Sequence, residues 1–191
     1  MNETIQSLFE FLQITDYQSK NLEKLAETDS KYLRDLKLNV STVLKSKNLE
    51  AKEARLLALA AAVTDRHAAL VDAFERMALA EGATGEEIAE VHACASLMST
   101  NNVFYRFRHY LKGNEYYNKT PAGLRMSIMM NPVTGKAFFE LMSLAISALN
   151  NCEMCIRSHE HSVRQHEVPE ATVFDAIRLV AVIRSLIVAL G

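Results

Sequence analysis

Two stretches of this chain echo each other, and that echo constrains the fold more than any single motif. Glu53-Ala-Arg-Leu-Leu-Ala-Leu-Ala-Ala-Ala-Val-Thr-Asp65 resembles Glu140-Leu-Met-Ser-Leu-Ala-Ile-Ser-Ala-Leu-Asn-Asn-Cys152. Both begin with glutamate, run through strong helix formers and end at a break. Further on, residues 82–98 follow the pattern of 167–183, with an offset that slips by a residue or two. Self-similarity of this kind marks a duplicated structural unit, here degenerate, over about 53–98 and 140–183. Both copies have helical period, so the expected fold is all-α. Six Gly and three Pro leave few turns for a sheet. In this register Asp65 and Ala68 stand where Cys152 and Cys155 stand, so the first copy reads as scaffold.

Local signals divide the chain further. Ile5, Leu8, Phe9 and Leu12 recur at helical spacing, which predicts a short amphipathic helix over 3–13, docked on its own subunit or a neighbour. Helices are also expected over 30–44, 50–63 and 66–80. Gly82 is a helix stop, and Thr84-Gly-Glu-Glu87 has the capping-box form that opens a helix to about Tyr110. Residues 112–119 read as one long polar loop. Thr120-Pro121 predicts another helix start, and Asn131-Pro132 its end. A helix over 134–149 is broken at Asn150-Asn151. Asn151 is a natural N-cap, which places Cys152 in the first turn of the next helix. Val168-Pro169-Glu170 stops that helix and starts the last, 170–190.

Charge excludes some functions. The net charge is −2 with no basic blocks, so nothing points to nucleic acid. The first residues lack a secretory pattern, and no apolar run reaches membrane length. The chain is expected to be cytoplasmic. In that compartment a C-x-x-C pair is more often catalytic or metal-binding than a structural staple. Three cysteines also rule out a fully paired framework.

The chemistry concentrates in Asn150-Asn-Cys-Glu-Met-Cys-Ile-Arg-Ser-His-Glu-His161. On a helix Cys152 and Cys155 face one side, about 5–6 Å apart, within reach of a disulfide. The helix N-terminus favours thiolate at Cys152. His159, one turn beyond Cys155, can take the proton of that thiol instead. If the chain folds back at Asn150-Asn151, Glu140 lies level with His159, giving an orienter, base and nucleophile in Glu140, His159 and Cys155. The rival reading is zinc, with Cys152, Cys155, His159 and His161 as four ligands. All four lie on one helix, which suits a tetrahedral ion poorly. Cys94 reads as a buried small hydrophobe, and Met126, Met129 and Met130 as core filler. His161 and His166 read as surface or packing residues.

Four motifs, together with the spacing from Glu140 through Cys152-x-x-Cys155 to His159, carry a family resemblance. They are Leu36-Lys-Leu-Asn-Val-Ser41, Asn101-Asn-Val-Phe-Tyr-Arg106, Gly123-Leu-Arg-Met126 and Ser158-His-Glu-His161. From about Asn21 onward the chain resembles the alkyl hydroperoxidase D branch of the carboxymuconolactone decarboxylase-like superfamily. Residues 1–20 read as an N-terminal helical extension, and 21–191 as the family domain. The resemblance implies an all-α bundle with a duplicated unit, commonly a homotrimer. It implies a thiol-dependent peroxidase that reduces alkyl hydroperoxides and a partner peroxiredoxin, AhpC. Electrons are expected from dihydrolipoamide on a lipoylated acyltransferase, recharged by dihydrolipoamide dehydrogenase, with no tightly bound cofactor. It assigns Cys155 as the cysteine oxidised to sulfenic acid and Cys152 as proton donor and resolving partner. Met154 stands where members of this branch can carry a second relay histidine. A shorter relay, a water or Glu153 is expected in its place. A lactone decarboxylase on the same fold is the other enzymatic alternative, but that chemistry has no use for a dithiol.

Overall fold

The computed structural model describes residues 2–191. Ten α-helices and one 3-10 turn make up the regular structure of the described residues, with no strand. Two helices form the centre. In α4 (Ala51–Thr64) every residue from Ala54 to Ala62 is buried, and in α8 (Lys136–Leu149) every residue from Phe138 to Ser147. They pack on each other, and the run of alanines in α4 lets the two backbones approach. A helix buried all round belongs at the middle of a bundle rather than on its surface.

The duplication is exact in register. Helix α4 ends at Thr64 and α8 at Leu149, 85 residues on. Helix α5 (Ala68–Ala80) and α9 (Glu153–Gln165) keep the same shift, as do α6 (Gly85–Tyr110) and α10 (Glu170–Leu190) at their starts. All four helix ends inside the two copies close with the same pair of hydrogen bonds. At the site turn, Asn151 N donates to Ala148 O and Cys152 N to Ser147 O; in the first copy, Arg66 N donates to Val63 O and His67 N to Ala62 O. This is the Schellman closure, which needs a left-handed residue just past the helix. Arg66, Gly82, Asn151 and Glu167 fill that position with φ of 59°, 86°, 56° and 61°.

The uniform shift corrects the register read from sequence. Aligning the two glutamates sets Asp65 against Cys152, whereas the structure sets His67 there and Leu70 at the place of Cys155. Glu140 is matched by Arg55, not Glu53. Asn151 is corrected too: it is the left-handed residue that ends α8, and Cys152 is the N-cap of α9. Asparagine tolerates that backbone better than most residues, so the same side chain suits an N-cap or a left-handed helix end, and here it takes the second role.

A carboxylate clamps the entry to each central helix. Glu90 of α6, buried, accepts from Val133 N (2.7 Å), Thr134 N (2.8 Å) and Thr134 Oγ1 (2.6 Å), just ahead of α8. Its counterpart Asp175 of α10 accepts from Ser46 Oγ and from Asn48 Nδ2 (2.8 Å), just ahead of α4. Each buried acid thereby pairs with part-buried donors of the loop that leads into a central helix.

The N-terminal region differs from expectation in one element. Helix α1 (Glu3–Leu12) forms, and its Ile5, Leu8, Phe9 and Leu12 are buried against α3 (Lys31–Val43). Between them lies α2 (Lys20–Glu27), which periodicity did not reveal because only Leu22 of its eight residues is buried. Its N-cap Ser19 accepts from Leu22 N and donates to Ala189 O, which ties the segment to α10.

Residues 112–135 depart further. The polar segment carries a short helix, α7 (Glu115–Lys119), capped by Asn114. The helix expected from Thr120 does not form. Thr120 ends α7, and Gly123 at φ +66° is incompatible with a helix running through it. Only a 3-10 turn, Ser127–Met129, remains before α8.

Candidate active site

Helices α8 and α9 form a hairpin around the Schellman turn, and the turn is pinned from outside by α6. Asn102 of α6, 1% exposed, donates Nδ2–H to Ser147 Oγ (2.9 Å) and accepts from Asn150 Nδ2 (2.9 Å). One turn on, Arg106 donates to Asn150 O (2.7 Å). The hairpin therefore holds its register against a third element, which is what brings residues of α8 and α9 together.

Four sequence-derived site residues lie in this hairpin, all buried. Cys152 and Cys155 are joined as a disulfide with Cα atoms 5.3 Å apart. Glu140 and His159 meet across the two helices, Oε2 to Nδ1 at 2.7 Å. The other carboxylate oxygen of Glu140 pairs with Lys136 Nζ at 3.0 Å, one turn back on α8. Burial alone pushes the Glu140 carboxyl up. The hydrogen bonds from His159 and Lys136 and their charges outweigh it and bring the pKa down to about 2. Glu140 is therefore ionised and accepts. Nδ1 of His159 must carry the proton in that bond, and Nε2 is left as the nitrogen available for proton exchange.

Cys155 and His159 open together onto a cavity of about 310 Å³. Helix α6 contributes Asn101 and Tyr105 to its wall, and α9 contributes Met154. Met126 and Met129, from around the 3-10 turn, close the remaining side. Of the three methionines read as core filler, Met129 packs against the core and also walls the cavity, Met126 is a half-buried wall residue, and Met130 is 83% exposed. The missing helix explains the difference, since the loop sends Ile128 and Met129 onto the core and leaves Met126 on the cavity and Met130 in solvent. Lys136 ties this loop to the ion pair by donating to Met129 O at 2.5 Å.

The other candidates separate from the site. His161 is exposed and meets Gln165 at 3.0 Å. Among the described residues no three His, Cys, Asp or Glu side chains gather as a metal would require, so the four-ligand arrangement is not assembled. Cys94 is fully buried beside Ser143, and burial pushes its thiol up to about 12. Glu153 faces outward, paired with Arg157 and His109. Lys136, Asn101 and Tyr105 were missed from sequence. Lys136 had a signal, because it lies four residues before Glu140 on the same helix face.

Comparison with known proteins agrees with the duplicated architecture. The model of the carboxymuconolactone decarboxylase family matches this chain twice, over residues 35–112 and 117–189. The chain belongs to the carboxymuconolactone decarboxylase family. Within it, the chain is similar to curated proteins named alkyl hydroperoxide reductase AhpD. That of Anaeromyxobacter sp. (strain Fw109-5) is 40% identical over 169 residues, 88% of this chain and 90% of that one. That of Bradyrhizobium sp. (strain ORS 278) is 36% identical over 170 residues, 89% of this chain and 93% of that one. A third, from Streptomyces coelicolor, is 36% identical over 170 residues, 89% of this chain and 94% of that one. The two family matches correspond to the two copies, each contributing one central helix. Only the second copy of this carboxymuconolactone decarboxylase-family chain carries a dithiol at the turn. His67, at the first copy's equivalent of Cys152, instead caps α5 by accepting from Leu70 N and meets Tyr17 Oη at 3.2 Å. No helix among the described residues is long and apolar enough to cross a membrane.

Proposed function

We propose that the chain is an alkyl hydroperoxide reductase that works through a Cys152–Cys155 dithiol/disulfide cycle. The Glu140–His159 hydrogen bond beside Cys155 carries this reading: it is a buried, ionised carboxylate orienting an imidazole at the mouth of a cavity that also exposes a cysteine sulfur. The names of the relatives support the same reaction class.

In the reduced protein, His159 takes the Cys155 proton on Nε2, with Glu140 stabilising the imidazolium. The thiolate attacks the terminal oxygen of the hydroperoxide. An S–O bond forms and the O–O bond breaks. The alkoxide leaves with the bonding pair, takes a proton and departs as an alcohol. Cys155 is now a sulfenic acid. The Cys152 sulfur attacks Cys155, water leaves, and the disulfide closes. An external dithiol then reduces the disulfide. Dihydrolipoamide on a lipoylated acyltransferase, recharged by dihydrolipoamide dehydrogenase, is the donor in this reading. The peroxiredoxin AhpC is a second acceptor of the electrons. A homotrimer working in the cytoplasm completes the proposal, on family resemblance. Met154, apolar and on the cavity wall, supplies no proton, so the relay runs through His159 and solvent.

Lipoamide-dependent hydroperoxide turnover tests this. Cys155→Ser is expected to abolish it, Cys152→Ser to stop it after one oxidation, and His159→Ala to slow it by roughly a hundred-fold or more. Full activity in Cys155→Ser overturns the reading.

A further inference from the structure

Asn101 and Asn102 are neighbours on α6, and both are buried, yet they are treated differently by the fold. Asn102 has its amide nitrogen and its oxygen engaged in holding the α8–α9 turn. Asn101 is 4% exposed, and its Nδ2 donates to Met126 Sδ at 3.2 Å. Its Oδ1 is buried without a hydrogen-bond partner among the described residues. Native structures rarely leave a buried amide oxygen unpaired, and such groups mark places where something else binds. This oxygen belongs to a residue that walls the cavity of Cys155 and His159. The contact from Nδ2 to Met126, a neighbour on the same cavity wall, fixes the amide, so the acceptor is held in place before any ligand arrives.

The geometry points to Asn101 as a substrate-contacting residue whose Oδ1 accepts a hydrogen bond from the –OOH group of a hydroperoxide and presents its terminal oxygen to Cys155. The inference rests on the peroxidase reading above and adds a residue to it. A hydroperoxide has one O–H donor, on the oxygen that sulfur attacks. An acceptor beside the thiol is therefore the group needed to orient that oxygen. The contact also survives the reaction. When the Cys155 sulfur forms its bond to the terminal oxygen and the O–O bond breaks, the O–H passes unchanged into the sulfenic acid. The sulfur is oxidised by two electrons, and the peroxide is reduced to an alkoxide, which takes its proton from the His159 side of the cavity. Asn101 exchanges no proton in this step. The alkyl group lies beyond the amide, against Met129 and Tyr105.

Reduced protein with Cys152→Ser, which holds oxidised Cys155 as sulfenic acid for capture by dimedone, reads the first chemical step directly. Asn101→Leu and Asn101→Ala are compared with Asn101 in that background, after thermal melting shows which variants fold. The second-order rate of sulfenic acid formation is expected to fall about ten-fold or more, the scale of one lost hydrogen bond. The loss is expected to be similar for hydrogen peroxide and tert-butyl hydroperoxide, because the contact is to the group they share. Alkylation of Cys155 by iodoacetamide, which needs the thiolate but no peroxide contact, is expected to change less than two-fold. Equal losses in oxidation and alkylation, or a loss confined to the bulky peroxide, overturn the assignment. If Cys155 with Asn101 intact forms no sulfenic acid at all, the peroxidase reading itself fails, which is a separate result.

Discussion

Glu140 and His159 are nineteen residues apart in sequence and 2.7 Å apart in space, Oε2 to Nδ1. The bond crosses a helical hairpin whose turn is pinned by α6. It fixes which imidazole nitrogen is protonated, and so which one faces chemistry. Glu140→Gln removes the charge that selects this arrangement. Steady-state hydroperoxide turnover is expected to fall roughly ten- to hundred-fold, and the rate of Cys155 alkylation in reduced protein to need higher pH. Parallel turnover and alkylation profiles measured from pH 5 to 9 check both halves.

The same carboxylate gives the protein a defined acid limb. Its pKa is held at about 2 in the fold, against an ordinary 4.5. A depressed folded-state pKa contributes stability that is present in full above the unfolded value and lost as pH falls through the folded one. Melting temperature is therefore expected to decline between about pH 4.5 and 2. In Glu140→Gln this part of the decline should flatten, with lower stability near neutrality because His159 and Lys136 lose their partner. Thermal unfolding across that pH range measures it. An acid limb identical in the two proteins would falsify the assignment of this window to Glu140.

Lys136 links two parts of the site, Glu140 Oε1 at 3.0 Å and Met129 O at 2.5 Å. Lys136→Met keeps the helix and removes both bonds. The acid limb is expected to keep its onset near the unfolded value but to end at a higher pH with a smaller total loss, since Glu140 keeps only His159. The amides of Met129 and Met130, bonded within the 3-10 turn, should exchange hydrogen faster, and mass spectrometry of the 121–135 peptides reads this directly.

Glu90 accepts three hydrogen bonds from Val133 and Thr134 immediately before α8. Glu90→Ala leaves three part-buried donors without their carboxylate and opens space where Glu90 was buried, and is expected to cost about 1–3 kcal/mol by urea unfolding. Asp175→Ala, the counterpart in the other copy, should destabilise comparably, though it lies ahead of α4 and far from the dithiol in the chain. A cost at Glu90 alone would show that the two clamps are not equivalent.

The N-terminal extension is built into the core rather than appended to it. Leu8 is fully buried, so Leu8→Ala is expected to cost about 2–5 kcal/mol. Tyr17→Phe, which loses the hydroxyl that meets His67, should cost about 0.5–1.5 kcal/mol. Denaturant titration of each variant gives the numbers. No effect from either would mean that residues 2–19 fold independently of the bundle.

Much of this architecture was legible in the sequence because it rests on local chemistry. The capping box at Thr84 and Glu87 forms as read, with both reciprocal bonds present. Val168-Pro169 stops one helix and starts another. The spacing that sets Cys152 beside Cys155 is a property of any helical turn. The duplication was visible as a pattern, but its register was not. Matching Glu53 to Glu140 by identity gave the wrong alignment, because the conserved quantity is the turn geometry at Arg66 and Asn151, which different residues can supply. The loop over the cavity was misread for a related reason: Thr120-Pro121 is a sound helix start, and Gly123 overrides it three residues later.

What the sequence determined by itself is the helical class, the repeated unit and the three-residue spacing of the dithiol, since each depends only on residues within a turn or two. What tertiary structure decided is which groups meet that dithiol. Glu140 reaches His159 only because Asn102 and Arg106 hold the hairpin from a third helix. Lys136 pairs with Glu140 directly and ties to it a loop that the Thr120-Pro121 signal places in a helix. Asn101 faces the cavity while Asn102, one residue on, faces the turn. A helix sends adjacent side chains in directions about 100° apart, and only the surrounding elements determine what each direction meets.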